Sequence, residues 1–348
     1  MTAFAYYRLP YLHHANFVAQ HLGEPEVLSS VAELNGKEGF VIAPFSPSSD
    51  CPVLLIHPDE SRLLAISDER AVSSSESELE ESIPARDIYA EDFECFHREL
   101  EKGTFRKIVL ARKATLRMAD KDFEKFFMKA CRMYPRLFVA LVYTPQSGMW
   151  LMATPEILLK GERGKMQTMS LAGTQKAEPS RTIADYPIEG VEWSLKNREE
   201  QQYVTDYIED CIKAFSDDYQ LKGPYTTMAA NLYHLRTDIT FLLRDEGRLG
   251  DVIHTLYPTP AVCGIPKDEA RQFILQHEHQ SRKYYSGFVG PISPQGKTHL
   301  FVSLRCMNIL PEGICELYAG GGLLKESEME KEWKETEAKM QTIRRVLI

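Results

Sequence analysis

Near the C-terminal end of the chain two apolar runs, THLFVSLRCMNIL and ICELYAG, flank Pro311-Glu312-Gly313. A Pro/Gly turn between β-type runs is a hairpin signal, and hairpins join strands that pair antiparallel. The same pattern recurs upstream. RLFVALVYTP and MWLMATPEILLKG read as strands around a turn at Gln146-Ser147-Gly148, and GFVIAPF and CPVLLIHP as strands within residues 1–85. KIVLARKATLRM alternates like a strand as well. Helical spacing appears between these runs without a regular beat. It marks Asp87–Leu100, DFEKFFMKACRMY, Glu192 to about Phe215, and PKDEARQFILQHEHQ, which has Pro266 in first-turn position. A last helix opens with Ser327 and Glu330 at capping-box spacing. Mixed runs, strong hairpins and no βαβα alternation predict an α+β fold on antiparallel sheets. No internal repeat and no linker forces a second domain. The polar, acidic stretch Ser73–Asp87 reads as an exposed loop.

Bulk properties exclude several classes. The 348 residues are within reach of one large unit, and 43% hydrophobic with 26% charged residues is ordinary globular composition. Net charge is −9 and no basic stripe stands out, so nucleic acid is not an expected partner. An anionic substrate would then need a local metal or a local Arg/Lys cluster. The first residues lack the charged-then-apolar layout of a signal peptide, and no run approaches the ~18 apolar residues of a membrane span. Seven scattered cysteines without a CxxC pair point to reduced thiols in a cytoplasmic protein and away from a zinc ribbon.

Four groups of residues could carry chemistry. Lys107 leads the strand RKIVLAR; it is either a solvated strand-end charge or, once desolvated, a base. Glu156 follows Pro155 at the start of an apolar run; it either begins that strand or, if burial raises its pKa, acts as an acid. Glu199 and Glu200 lie on a helix about 100° apart, so only one can face a common centre. Glu332, Glu335 and Lys339 share one helical face through i, i+3 and i, i+4 spacing. Six glutamates between Glu326 and Glu337 also allow a plain acidic surface helix. The run Gly320, Gly321, Gly322 just before it would let backbone approach a ligand closely. Gly173 and Thr174 in LAGT, His234 in YHLRTD, Tyr285 and Arg305 add polar groups. Tyr285 and Arg305 read as lying on adjacent strands, with Arg305 suited to a carboxylate. His277 and His279 are too closely spaced to share a helix face and are discounted as a metal pair.

The ordered set KIVLAR, TPEILL, SLAGT, KNREEQ, YHL, PTPAVCG, YYSGFVG, VSLR, YAGGG and EWKET, from about Phe105 to Ile348, resembles the chorismate-utilising enzymes. These include isochorismate synthases, salicylate synthases, anthranilate synthase component I and aminodeoxychorismate synthases. The resemblance implies one large α+β domain of two antiparallel sheets packed face to face with helices outside. Residues 1–85 would be its variable part and 86–348 its catalytic region. It also implies roles: Lys107 as general base and Glu156 as general acid; Glu200 and Glu335, with Glu332 beside them, as Mg²⁺ ligands. Tyr285, Arg305, Gly320, Gly321 and Gly322, with Lys339 adjacent, would bind a substrate carboxylate. Gly173, Thr174 and His234 would line the pocket.

Within the family, Ala172 stands where aminodeoxychorismate synthases often place a nucleophilic lysine, and residues 1–85 carry no copy of the anthranilate-branch feedback motif. Pro258-Thr259-Pro260-Ala261 resembles the isochorismate and salicylate branch. Asn197, Gln201, Tyr257 and Gly321 depart from common family residues. The resemblance therefore implies an Mg²⁺-dependent isochorismate synthase acting on chorismate, in menaquinone or siderophore supply, without an obligatory glutamine amidotransferase. Salicylate synthase, anthranilate synthase component I and a catalytically silent relative are the alternatives.

Overall fold

The computed structural model describes residues 1–66, 84–118, 122–177, 188–229 and 232–347. The first residues form β1 (Ala3–Arg8), β2 (His14–Gln20), β3 (Glu26–Leu28), β4 (Gly39–Ala43), β5 (Val53–Ile56) and β6 (Glu60–Ala65). Then come α1 (Pro84–Glu101), β7 (Lys107–Arg117), α2 (Phe123–Met133), β8 (Phe138–Thr144), β9 (Gly148–Thr154), β10 (Ile157–Glu162) and β11 (Lys165–Lys176). The chain continues through α3 (Leu195–Lys213), β12 (Tyr219–Ala229), β13 (Leu232–Leu242), α4 (Leu249–Leu256), β14 (Gly264–Ile265) and α5 (Lys267–His277). It closes with β15 (Phe288–Ile292), β16 (Lys297–Val302), β17 (Cys306–Ile309), β18 (Ile314–Leu323) and α6 (Met329–Leu347).

Two nine-stranded sheets result, in the orders β14-β7-β18-β17-β9-β8-β1-β2-β6 and β12-β13-β11-β10-β16-β15-β4-β5-β3. Their strand pairs run antiparallel, and β17 and β18 form the expected hairpin. Apolar side chains from both sheets make one shared layer that includes Phe40, Ile42, Phe138, Trp150, Met169, Leu171 and Phe301. Phe138 and Phe301 stack across it with centroids 4.2 Å apart. Helix α3 packs on β11 and β13, α6 on β18, α1 on β7 and α2 on β8. An α+β fold on antiparallel sheets is what the sequence pattern predicts, and one domain of two such sheets packed together is what the family resemblance implies. The first 66 residues supply edge strands to both sheets.

Several local expectations change. MWLMATPEILLKG and THLFVSLRCMNIL are each two strands, not one. The first leaves the first sheet at Pro155-Glu156 and enters the second; the other returns at Ser303–Arg305. The crossings run side by side: the Val302 N–H donates to the Glu156 carbonyl at 3.0 Å and the Ala153 N–H to that of Arg305 at 3.2 Å. Each crossing is only about three residues long, with a single charged residue, Glu156 or Arg305, between apolar flanks, so each run reads as nearly continuous. The turn is made instead by proline's missing donor and by Arg305 at φ +47°. Tyr285 and Arg305 accordingly sit in connections rather than on adjacent strands; Lys283 and Ser286, at φ +48° and +61°, turn the chain around Tyr285. Of the Ser73–Asp87 loop, residues 84–87 belong to α1 and the others lie outside the described residues. Helix α6 opens at Met329, two residues after Ser327, whose hydroxyl accepts the Leu324 N–H instead of forming the expected capping box.

Candidate active site

The site lies where the crossings, the glycine strand β18 and the helices α3 and α6 meet. A narrow cavity of about 70 Å³ there is lined by Glu156, Gly173, Thr174, Glu200, His234, Tyr285, Arg305, Gly320, Gly322 and Lys339, together with Ala172. Lys107 lies just beneath it. Two larger cavities, of about 640 and 420 Å³, run along the second sheet and hold none of the expected site residues.

Lys107 begins β7 and is fully buried, not a solvated strand end. Its neighbours are buried on both strand faces because β7 is flanked by β18 and β14 and covered by α1. Its ammonium stands 3.0 Å from Glu200 Oε1. Gly322 makes this approach possible, since a Cβ there would fall 2.2 Å from Glu200 Oε1 and 2.7 Å from Lys107 Cε. Glu200 is on α3, whose N-cap Ser194 accepts the Asn197 N–H. Burial pushes the Glu200 carboxyl up, but Lys107, Lys196 and Lys339 outweigh it and hold the group below the usual carboxylate range. Its second oxygen accepts the Gly173 N–H at 3.2 Å. Gly173 sits at φ +69° in a β11 bulge, where the register against β13 shifts between Ala172 and Gln175.

Glu156 occupies one crossing and is 3% exposed. Burial raises its pKa to about 7, against the opposing pull of Lys107, the Thr259 hydroxyl, Lys339 and Arg305. Thr259 donates to Glu156 Oε1 at 3.4 Å. Arg305 occupies the other crossing. Its guanidinium donates to His234 Nε2 at 2.8 Å, and the His234 Nδ1–H donates to the Gly173 carbonyl at 2.9 Å. Burial, then Arg305 and Lys339, hold His234 well below its ordinary pKa, so the ring is neutral and accepts from Arg305. Arg305 Nη1 is buried with no hydrogen-bond partner, an unfilled donor at the pocket wall.

The carboxylates of α6 approach β18 at Gly321. Glu332 Oε2 and Glu335 Oε1 lie 3.1 and 3.8 Å from where a Gly321 Cβ would be. Gly320 and Gly322 face the opposite way, Gly320 against the Tyr285 hydroxyl. Lys339 bridges Glu335 Oε1 at 2.7 Å and the Gly320 carbonyl at 2.9 Å. Lys196, one turn before Glu200, pairs with Glu332 Oε1. Burial, with Glu335 adding to it, raises the Glu332 pKa despite Lys196. Among the described residues no three His, Cys, Asp or Glu side chains form a ready metal cage, and each of these carboxylates is turned onto a lysine. They do fit a divalent cation chemically: Glu332 Oε2 is buried without a hydrogen-bond partner beside a second carboxylate, and hard oxygen donors suit Mg²⁺.

Sequence reasoning missed Lys196, Thr259 and the buried pair Glu278–Arg282. Lys196 had a signal, its i, i+4 spacing to Glu200. Glu278 was masked by the two histidines around it. It accepts the Ala111 N–H at 2.7 Å and binds Arg282 through both oxygens at 2.6 and 2.7 Å. Arg282 in turn donates to the Val262 and Val109 carbonyls, both at 2.8 Å, tying the strand of Lys107 to the loop of Thr259. His279 pairs with Asp92, and His277 Nδ1 lies 3.0 Å from the Phe273 carbonyl, so neither serves the site.

A family model described as "Chorismate binding enzyme" matches residues 49–348. The chain belongs to the chorismate-binding enzyme family. It is 31% identical over 272 residues to isochorismate synthase MenF of Escherichia coli K12, covering 77% of this chain and 62% of that protein. It is 30% identical over 271 residues to the salicylate biosynthesis isochorismate synthase of Pseudomonas aeruginosa, covering 71% and 52%. The chain thus spans little more than half the length of these curated relatives. Its fold also matches the solved menaquinone-specific isochorismate synthase MenF of Escherichia coli, with TM-score 0.78 at 22% identity over 99% of this chain and 89% of that one.

Proposed function

We propose that this family member is an isochorismate synthase, converting chorismate to isochorismate by adding water at ring C2 while the C4 hydroxyl leaves. The observation that carries the reading is the opposition of two proton-handling groups at one narrow pocket: Glu156, buried with a pKa near 7, and buried Lys107 beside Glu200. Lys107 is the base that takes a proton from the attacking water. Protonated Glu156 gives one to the departing C4 oxygen, so protons and water balance over the turnover. Ala172 leaves the pocket wall without a competing nucleophile. The free Nη1 of Arg305, with Tyr285 beside it, suits one substrate carboxylate.

Mg²⁺ held by Glu200, Glu335 and Glu332 would neutralise the second carboxylate and fix its orientation. Gly173, Thr174 and neutral His234 shape the opposite wall, and Lys339 supplies a further cation. The likeness to MenF supports menaquinone biosynthesis as the pathway supplied. A water-using reaction needs no glutamine amidotransferase. A cytoplasmic setting fits seven free thiols, and no described helix is long and apolar enough to cross a membrane. Residues 1–85 are proposed as the variable part of the fold.

The test is incubation with chorismate and Mg²⁺ without ammonia, products being separated over time and pyruvate assayed. Isochorismate without pyruvate is expected. Salicylate with stoichiometric pyruvate, ammonia-dependent anthranilate, or no turnover would each overturn the assignment.

A further inference from the structure

Lys196 faces more carboxylates than any role so far gives it. It stands on α3 one turn before Glu200, so both point toward the same centre. It pairs directly with Glu332, which shares the Gly321 face of β18 with Glu335, while Glu200 lies one turn along its own helix. Those are the three carboxylates that fit the divalent cation. The ionic inventory of this wall closes without any metal, with one lysine to each carboxylate: Lys107 on Glu200, Lys196 on Glu332 and Lys339 on Glu335. The three lysines differ in one respect. The Lys107 side chain is fully buried and Lys339 is anchored to the Gly320 carbonyl, whereas Lys196 keeps 28% of its side chain exposed. Lys339 is 19% exposed but held by the Gly320 carbonyl, so Lys196 is the most exposed of the three.

We propose that Lys196 is an exchangeable internal counter-ion: it neutralises the carboxylate cluster while the cation is absent, and swings toward solvent when a divalent cation takes its place. Lysine suits this task because its ammonium is a compact charge on a flexible stem with no fixed fork geometry to satisfy. The exchange has a physical cost to the cation. Metal arriving alone displaces a charge already in place, so binding is weaker than bare carboxylates would give. The inference rests on the functional reading only in assigning those carboxylates to a cation, and its test uses metal alone, without substrate or turnover.

Mg²⁺ binding to the whole protein is measured by titration calorimetry for the parent, Lys196→Met and Lys196→Arg, with thermal melts as the control for folding. Lys196→Met is expected to bind Mg²⁺ about tenfold or more tightly than the parent, a change of about 1.4 kcal/mol. Lys196→Arg, which keeps the charge, is expected to stay near the parent. Unchanged or weaker binding in a folded Lys196→Met protein would overturn the proposal. The parent provides a second readout that needs no variant. Labelling by a water-soluble amine reagent, read by mass spectrometry, should rise severalfold at Lys196 when Mg²⁺ is added. No rise at metal saturation would equally overturn it. Failure of isochorismate formation would count against the proposed function and leave both measurements interpretable.

Discussion

The two walls of the candidate site are built on different principles. The wall at the strand crossings holds Glu156, Arg305 and His234, which are nearly fully buried and linked by hydrogen bonds to Thr259, to each other and to the Gly173 carbonyl. The wall formed by α3 and α6 holds Glu200, Glu332 and Glu335, each met by a lysine on a long flexible stem. The first is preorganised: its donors are fixed before any ligand arrives, which is the condition under which electrostatic groups act most effectively. The second is charge-balanced by three lysines, of which Lys196 is the one proposed to exchange with a cation. A substrate with two carboxylates would meet a fixed anchor on one side and an adjustable one on the other.

The contrast can be broken most sharply at the two groups proposed to move protons. Lys107→Ala and Glu156→Gln should each lower turnover by on the order of a hundredfold or more while the fold survives. Near-parent rates in either folded variant, by product chromatography, would remove that residue from the chemistry. Next in size is the support beneath the fixed wall. Glu278→Gln leaves the Arg282 guanidinium buried without its charge partner, and breaking such a pair costs about 3–5 kcal/mol. A chemical denaturation midpoint equal to the parent's would show that the Glu278–Arg282 pair is dispensable.

Glu156 also makes an opposite pair of predictions about stability and activity. Its pKa rises from 4.5 to about 7 on burial, so the folded state binds the extra proton between those pH values. Stability from this group is full below about pH 4.5 and is lost as pH rises toward 7. At pH 8 Glu156→Gln should therefore unfold later than the parent, by on the order of 1–3 kcal/mol, although it is inactive. In the parent, kcat/KM should fall on the alkaline side of about pH 7, where the acid has lost its proton. A flat profile from pH 6 to 9 would place the acid elsewhere. The smallest effect belongs to the exchangeable wall. Glu335→Gln and Glu200→Gln should raise the Mg²⁺ concentration for half-maximal activity by at least the roughly tenfold typical of altered metal surroundings, with partial recovery at high Mg²⁺. Full activity in excess chelator would exclude a metal role for both.

Much of this was legible in the sequence because side-chain chemistry survives without coordinates. Lys107, Glu156, Glu200, Glu335 and Arg305 stand in short motifs; Glu156, Glu200 and Arg305 line one cavity, Lys107 pairs with Glu200, and Glu335 pairs with Lys339 at its wall. What could not be read is where the chain changes direction without changing character. Thr154-Pro155-Glu156 and Ser303-Leu304-Arg305 are short breaks inside otherwise apolar runs, and nothing in them says that the strands on either side belong to different sheets. Lys196 and Glu278 were missed for a related reason. A charged residue on a helix reads as solvated, and only the packing of α3 on β11 and of Arg282 between two strands shows otherwise.

The paired crossings have a further consequence for how the molecule is assembled in time. Because β9 runs into β10 and β16 into β17, neither sheet can finish its pairing until segments well over a hundred residues apart have found each other. Contacts of such long sequence separation slow folding, since chain entropy is lost before the contacts stabilise anything. The pocket, built where these long-range pairings meet, cannot be complete until both have formed.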